Sequence, residues 1–252
     1  MGRTEADPRE GLGRARNPVF ATTHWSVVVQ AGAEPSSVGT AALEKLCRTY
    51  WYPLFAFLLR KGHREADAQD LTQQFFTRLL ESKSLRTVDA RKGKFRTFLL
   101  ASLGHFLSNE RDFANAAKRG GGRPILSLEA MATEEWQRFE PATALSPDKL
   151  YDQRWAMTLL TNAVTRLRAE MVAAGKLSQF EVLKTFLTNE SAPGEYAQVA
   201  QRLEVSSQSV AVSVHRLRQR YRELVRAGVA DTVSSPLEVE EEMRHLFAAL
   251  NT

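Results

Sequence analysis

The chain has 252 residues, enough for one large domain or two small ones, and its 34 Lys and Arg exceed its 29 Asp and Glu by five, a mild excess that favours anionic partners. The lone cysteine, Cys47, excludes an intrachain disulfide and any multi-cysteine zinc or iron–sulfur site. No apolar run approaches the roughly 20 residues needed to cross a bilayer, so a cytoplasmic protein without a membrane partner is expected.

Residues 1–20 read as a disordered lead-in. Their first part is rich in Arg, Glu and Gly and lacks the apolar stretch of a signal peptide. From there on, apolar residues recur at helical spacing and no alternating strand of useful length is found. The expected fold is all-α, two helical domains joined by a flexible linker.

The first domain is expected over 21–116. A short helix at 24–31 and a turn at 34–37 lead into a helix at 38–60, which Pro53 could kink or divide. The next helix, 64–81, places Leu71, Phe75 and Leu79 on one stripe with Gln73, Gln74 and Arg78 to its sides. A polar, basic loop over 82–93 precedes a helix whose buried stripe is Phe95, Leu99, Leu103, Phe106 and Leu107. Between 86 and 123, nine basic residues, Lys94 and Arg96 among them, outnumber the acids Asp89, Glu110 and Asp112, so this stretch could neutralise several phosphates. Interleaved phenylalanines could stack on unpaired bases. For Phe95, Phe98 and Phe106, core packing is the commoner use of such spacing.

Gly120, Gly121 and Gly122, followed by Pro124, Pro141 and Pro147, mark a linker over 117–147. The second domain, 148–232, opens with a helix carrying Trp155, Leu159, Leu160, Val164 and Leu167, and continues with one carrying Phe180, Leu183, Phe186 and Leu187. Pro193 and Gly194 break the pattern. Residues 195–226 then read as helix, tight turn, helix: Tyr196, Val199, Ala200 and Leu203 form one apolar face, Val205 inserts from the turn, Ser206 caps, and Val210, Val214, Leu217 and Tyr221 continue the stripe. The outer side of the second helix carries Ser207, Gln208 and Ala211 near its start and His215, Arg216, Arg218 and Arg220 further on, a division between base reading and phosphate binding that suits the major groove.

Residues 233–252 form a C-terminal extension with an acidic amphipathic helix, in which Val239, Met243, Leu246 and Leu250 make a stripe and Glu238, Glu240, Glu241 and Glu242 crowd the start. It reads either as a capping helix packed on the second domain or as a shield over the basic recognition surface. The five histidines form no ligand-spaced pair, and neither a nucleophile–base constellation nor a phosphate-cradling glycine loop can be read. No enzyme, metal or cofactor is expected.

The order of these parts resembles the two-domain sigma factors of the sigma-70 family's extracytoplasmic-function group, over about 22–229. The run Glu65-Ala-Asp-Ala-Gln-Asp-Leu-Thr-Gln-Gln-Phe-Phe76 looks like the acidic helix that binds the polymerase clamp, implying contacts from Asp67, Asp70, Leu71, Gln73 and Gln74. The segment from Lys94 to Arg111 resembles the helix that reads and opens the promoter element nearest the start site. By that resemblance Arg91, Lys92, Lys94, Phe95, Arg96, His105, Asn109 and Arg111 face this element. The 196–221 segment is similar to the helix-turn-helix that reads the upstream element as duplex, which adds Ser206 to Ser207, Gln208, Ala211, His215, Arg216, Arg218 and Arg220. His105, Asn109 and Glu204 stand where relatives often place Asn, Asp and Gly, and Ala211 and Ser213 where basic residues are common. The partners implied are core RNA polymerase and promoter DNA, with an anti-sigma factor or the C-terminal helix as alternative means of control. An ordinary helix-turn-helix regulator that never docks on polymerase is the alternative reading.

Overall fold

The computed structural model describes residues 37–81, 94–117 and 144–251. Every regular element in them is helical. The expected helix at 24–31, the basic loop and most of the linker lie outside the described residues.

Helix α1 (Ser37–Arg60) runs through Pro53 undivided. It ends where Gly62 takes φ 91° and the His63 N–H reaches back to the Leu58 carbonyl at 3.2 Å, a left-handed close that glycine adopts without a Cβ clash. Helix α2 (Glu65–Glu81) buries Ala68, Thr72, Phe75, Phe76 and Leu79. Leu71, expected on the inner stripe, is only half-buried at its edge. Helix α3 (Phe95–Ala117) buries the five residues its spacing predicts, and Phe106 meets Phe75 edge-on at 5.8 Å.

The second half starts at helix α4 (Pro147–Ala173), capped by Ser146 and opened by a proline in its first turn, where the missing N–H costs nothing. Nine of its residues are buried, Arg154 and Thr158 among them, because neighbours cover it on several sides. Helix α5 (Leu177–Leu183) runs into a 3-10 turn at Lys184–Leu187. Helices α6 (Glu195–Leu203) and α7 (Ser207–Ala230) follow, α7 reaching four residues beyond the expected end. A 3-10 turn at Pro236–Glu238 leads into α8 (Val239–Leu250).

The core does not divide at the expected linker. One continuous apolar cluster runs from Cys47 to Ala249 and takes in every helix from α1 to α8. Its seam lies between α1 and α4, where Phe57 meets Tyr151 edge-on at 6.4 Å. The start of α3 is fastened to the second half as well, since the Phe95 N–H donates to the Thr232 carbonyl at 3.4 Å and the Tyr151 hydroxyl to the Arg96 carbonyl at 3.0 Å. No helix among the described residues is long and apolar enough to cross a membrane.

Candidate polymerase and nucleic-acid interfaces

Three surfaces carry the residues singled out in the sequence. On α2, Asp70 is exposed, while Gln73 and Gln74 are half-exposed beside it. Asp70 has no ion-pair partner among the described residues. Asp67 is engaged locally: Arg64 Nε donates to its Oδ2 at 2.9 Å, and that hydrogen bond holds the carboxyl below its ordinary range. The short spacing of α2's apolar residues turns Phe75, Phe76 and Leu79 inward, which leaves Asp70 to solvent.

On α6 and α7, the connection is the three residues Glu204, Val205 and Ser206. Glu204 adopts φ 55°, the only non-glycine residue with a positive φ among those described. It thus occupies the conformation for which glycine would be the usual choice. The Ser206 hydroxyl accepts the Ser209 N–H at 3.1 Å and caps α7 as expected. Val205 does not insert into the core. It is 46% exposed, in the turn that follows the left-handed Glu204.

Along α7, Ser207, Gln208, His215 and Arg216 are exposed and Ala211 half-buried. The arginines divide by environment. Arg218 lies across the 3-10 turn, donating from Nε to the Phe186 carbonyl at 2.7 Å and from Nη2 to the Asn189 carbonyl at 2.6 Å. Arg220 grips Glu170 of α4 through Nε and Nη2 at 2.8 and 2.9 Å and also meets Glu223. Those hydrogen bonds raise its pKa and lower that of Glu170. In this arrangement both arginines are engaged by protein groups. Sequence reading missed Arg222, which lies two turns beyond His215 on the same exposed side, and Arg202 near the end of α6. Among the described residues no carboxylate pairs with Arg202, Arg216 or Arg222. A wheel at 100° per residue places Gln208, His215 and Arg222 within one narrow arc and would have found the last of them.

The third surface is the start of α3, where the expectations change most. Arg91 and Lys92 lie outside the described residues. Phe95 is fully buried, edge-on to Tyr50 at 5.2 Å, so it is core and does not face a strand in this arrangement. His105 and Asn109 are exposed one turn apart, and Arg111 lies further along the same helix. Lys94 and Arg96 are held by α8. Lys94 Nζ stands 2.8 Å from Glu241 Oε1 and 2.9 Å from Glu242 Oε2. Arg96 Nε donates to Glu242 Oε1 at 2.6 Å, its Nη1 to Asp152 Oδ1 at 2.9 Å, and its guanidinium lies over the Trp155 ring at 5.5 Å. Asp152 also meets His245 Nε2 at 3.1 Å. Burial works against charge on both cations, yet the acids outweigh it and each pKa lies above its ordinary value. The hydrogen bond from Lys94 lowers that of Glu241.

The acidic helix thus does not cover the exposed side of α7 that carries Ser207, Gln208, His215 and Arg216. Glu240 pairs with Arg226 near the far end of α7, and the other acids turn to α3. Among the described residues no group of three His, Cys, Asp or Glu is placed to hold a metal ion. No family model, curated protein or solved structure matches the chain.

Proposed function

We propose that the protein is a sigma factor, a non-catalytic subunit that binds core RNA polymerase and directs it to promoters. The observation that carries the reading is the presence on one chain of two surfaces of different chemistry. The α2 face offers an unpaired carboxylate, Asp70, flanked by the carboxamides Gln73 and Gln74, a set suited to a protein partner that supplies cations and amides. The α7 face offers Ser207 and Gln208 at the helix start, then His215, Arg216 and Arg222 without carboxylate partners, a set suited to base edges followed by phosphates. A regulator that acts through DNA alone would use the second surface and leave the first idle. Phosphate binding is assigned to Arg216 and Arg222 of α7 and Arg202 of α6, ahead of the protein-bonded Arg218 and Arg220.

The test is transcription in vitro from fragmented bacterial genomic DNA by bacterial core polymerase, with and without the protein. New discrete transcripts that vanish with Asp70→Lys support the reading. DNA binding without new initiation moves the protein to the ordinary regulators.

A further inference from the structure

Glu242 is fully buried, and a buried carboxylate is tolerated only where its charge is met. Its two oxygens are shared out: Oε1 accepts from Arg96 Nε at 2.6 Å, and Oε2 lies in an ion pair 2.9 Å from Lys94 Nζ. Two anionic oxygens on one centre, each claimed by a separate cation, is what a phosphodiester would offer the same pair. Asp152 meets Arg96 through Nη1, and Glu241 gives Lys94 a second carboxylate. We propose that this packing is an autoinhibited state, in which α8 is an internal anionic ligand that occupies Lys94 and Arg96 in place of nucleic-acid phosphate.

The geometry also says what release requires. Glu241, Glu242 and Asp152 all belong to the second half, and so do Thr232 and Tyr151, which bond the backbone of Phe95 and Arg96. One separation of residues 144–251 from the first half frees both cations at once. The apolar α1–α4 seam holds the isolated chain closed, and a partner that binds the separated halves shifts the balance by its preference for that state. Glu238 fixes the approach of α8 by accepting the Ser234 and Ser235 N–H groups at 3.0 and 3.2 Å.

The inference rests on the sigma-factor reading for its purpose, but its test needs no polymerase. The probe is a fluorescent single-stranded oligonucleotide of mixed sequence, titrated with the full chain over a range of salt. E241Q/E242Q should bind on the order of tenfold more tightly at 0.1 M salt, and the slope of log affinity against log salt should steepen by about 1.4, the value for two added phosphate contacts on a single strand. Adding K94Q/R96Q should cancel the gain, and a charge-matched E44Q/E190Q control should not reproduce it. Where the double variant loses its folding transition, Glu241→Gln at its exposed position carries the test with a gain of about threefold. Unchanged affinity in a folded variant, or an equal gain in the control, overturns the inference. The two readings fail separately: tighter DNA binding without any initiated transcripts removes the sigma assignment, whereas initiation by the unmodified chain with no gain in the variant removes only the closed state.

Discussion

At the scale of single residues, the arginines of α7 show how environment separates identical side chains. Arg218 satisfies two carbonyls at the end of a 3-10 turn, and removing a charged donor from such a pair leaves acceptors partly unmet. Arg218→Ala is expected to lower stability by about 1–2 kcal/mol, read from denaturant midpoints. Arg216→Ala should leave the midpoint within about 0.5 kcal/mol, as surface changes do, and weaken duplex binding about five- to tenfold at 0.1 M salt, the loss for one phosphate contact. Equal effects of the two substitutions on stability would count against this division. Glu204 is the complementary case, since its φ of 55° is one that a Cβ opposes by about 1 kcal/mol. Glu204→Gly should raise the denaturant midpoint by up to about that amount. A drop in stability would mean that the glutamate side chain contributes more than its strain costs.

Among the elements, α8 carries the clearest dependence on pH. Glu241 has a folded pKa below the ordinary 4.5, so its contribution is complete above that value and is lost as pH falls through the folded pKa. Lys94 has a folded pKa above the ordinary 10.5, so its contribution is complete below that value and is lost as pH rises through the folded pKa. Protection of α8 amides against hydrogen exchange, corrected for intrinsic rates, should therefore be level between about pH 5 and 10 and fall on both sides. Protection that stays level below pH 4 would show that Lys94 gains nothing from Glu241. None of this long-range pairing was legible in the sequence: Lys94 and Glu241 stand 147 residues apart, and charge spacing along one helix carries no information about such a partner. The helices themselves were legible, because the α3 stripe from Phe95 to Leu107 and the α7 stripe from Val210 to Leu217 repeat at three and four residues. Departures came where position along a helix and burial part company. Leu71 has the right spacing but sits at the edge of a face whose centre is Thr72 and Phe75, and Val205 is apolar yet sits in a turn that points it outward.

For the whole molecule, the sequence offered a break at 117–147 and the packing crosses it. A glycine- and proline-rich stretch lets two halves move independently, but whether they do depends on the surfaces they present to each other. Here α1 and α4 present Leu54, Phe57, Tyr151 and Trp155, all buried, so the isolated chain gains by closing. Closure has a consequence that separates it from two domains on a tether. Cys47 lies in this core, and burial pushes its thiol from 9.0 up to about 12, which leaves about a thousandfold less thiolate at neutral pH. A thiol reagent at pH 8 should therefore modify the native chain at least about a hundredfold more slowly than the unfolded one, and its onset along a urea gradient reports the loss of α1. Far-UV circular dichroism is dominated by both halves together, and hydrogen exchange of α7 reports the second alone. In the closed molecule all three should lose protection at one midpoint, and Leu54→Ala, which removes about 3 kcal/mol of packing at the seam, should move all three by the same amount. Two midpoints, with only the Cys47 signal displaced by Leu54→Ala, would instead show that the halves fold separately and that the seam adds little to either.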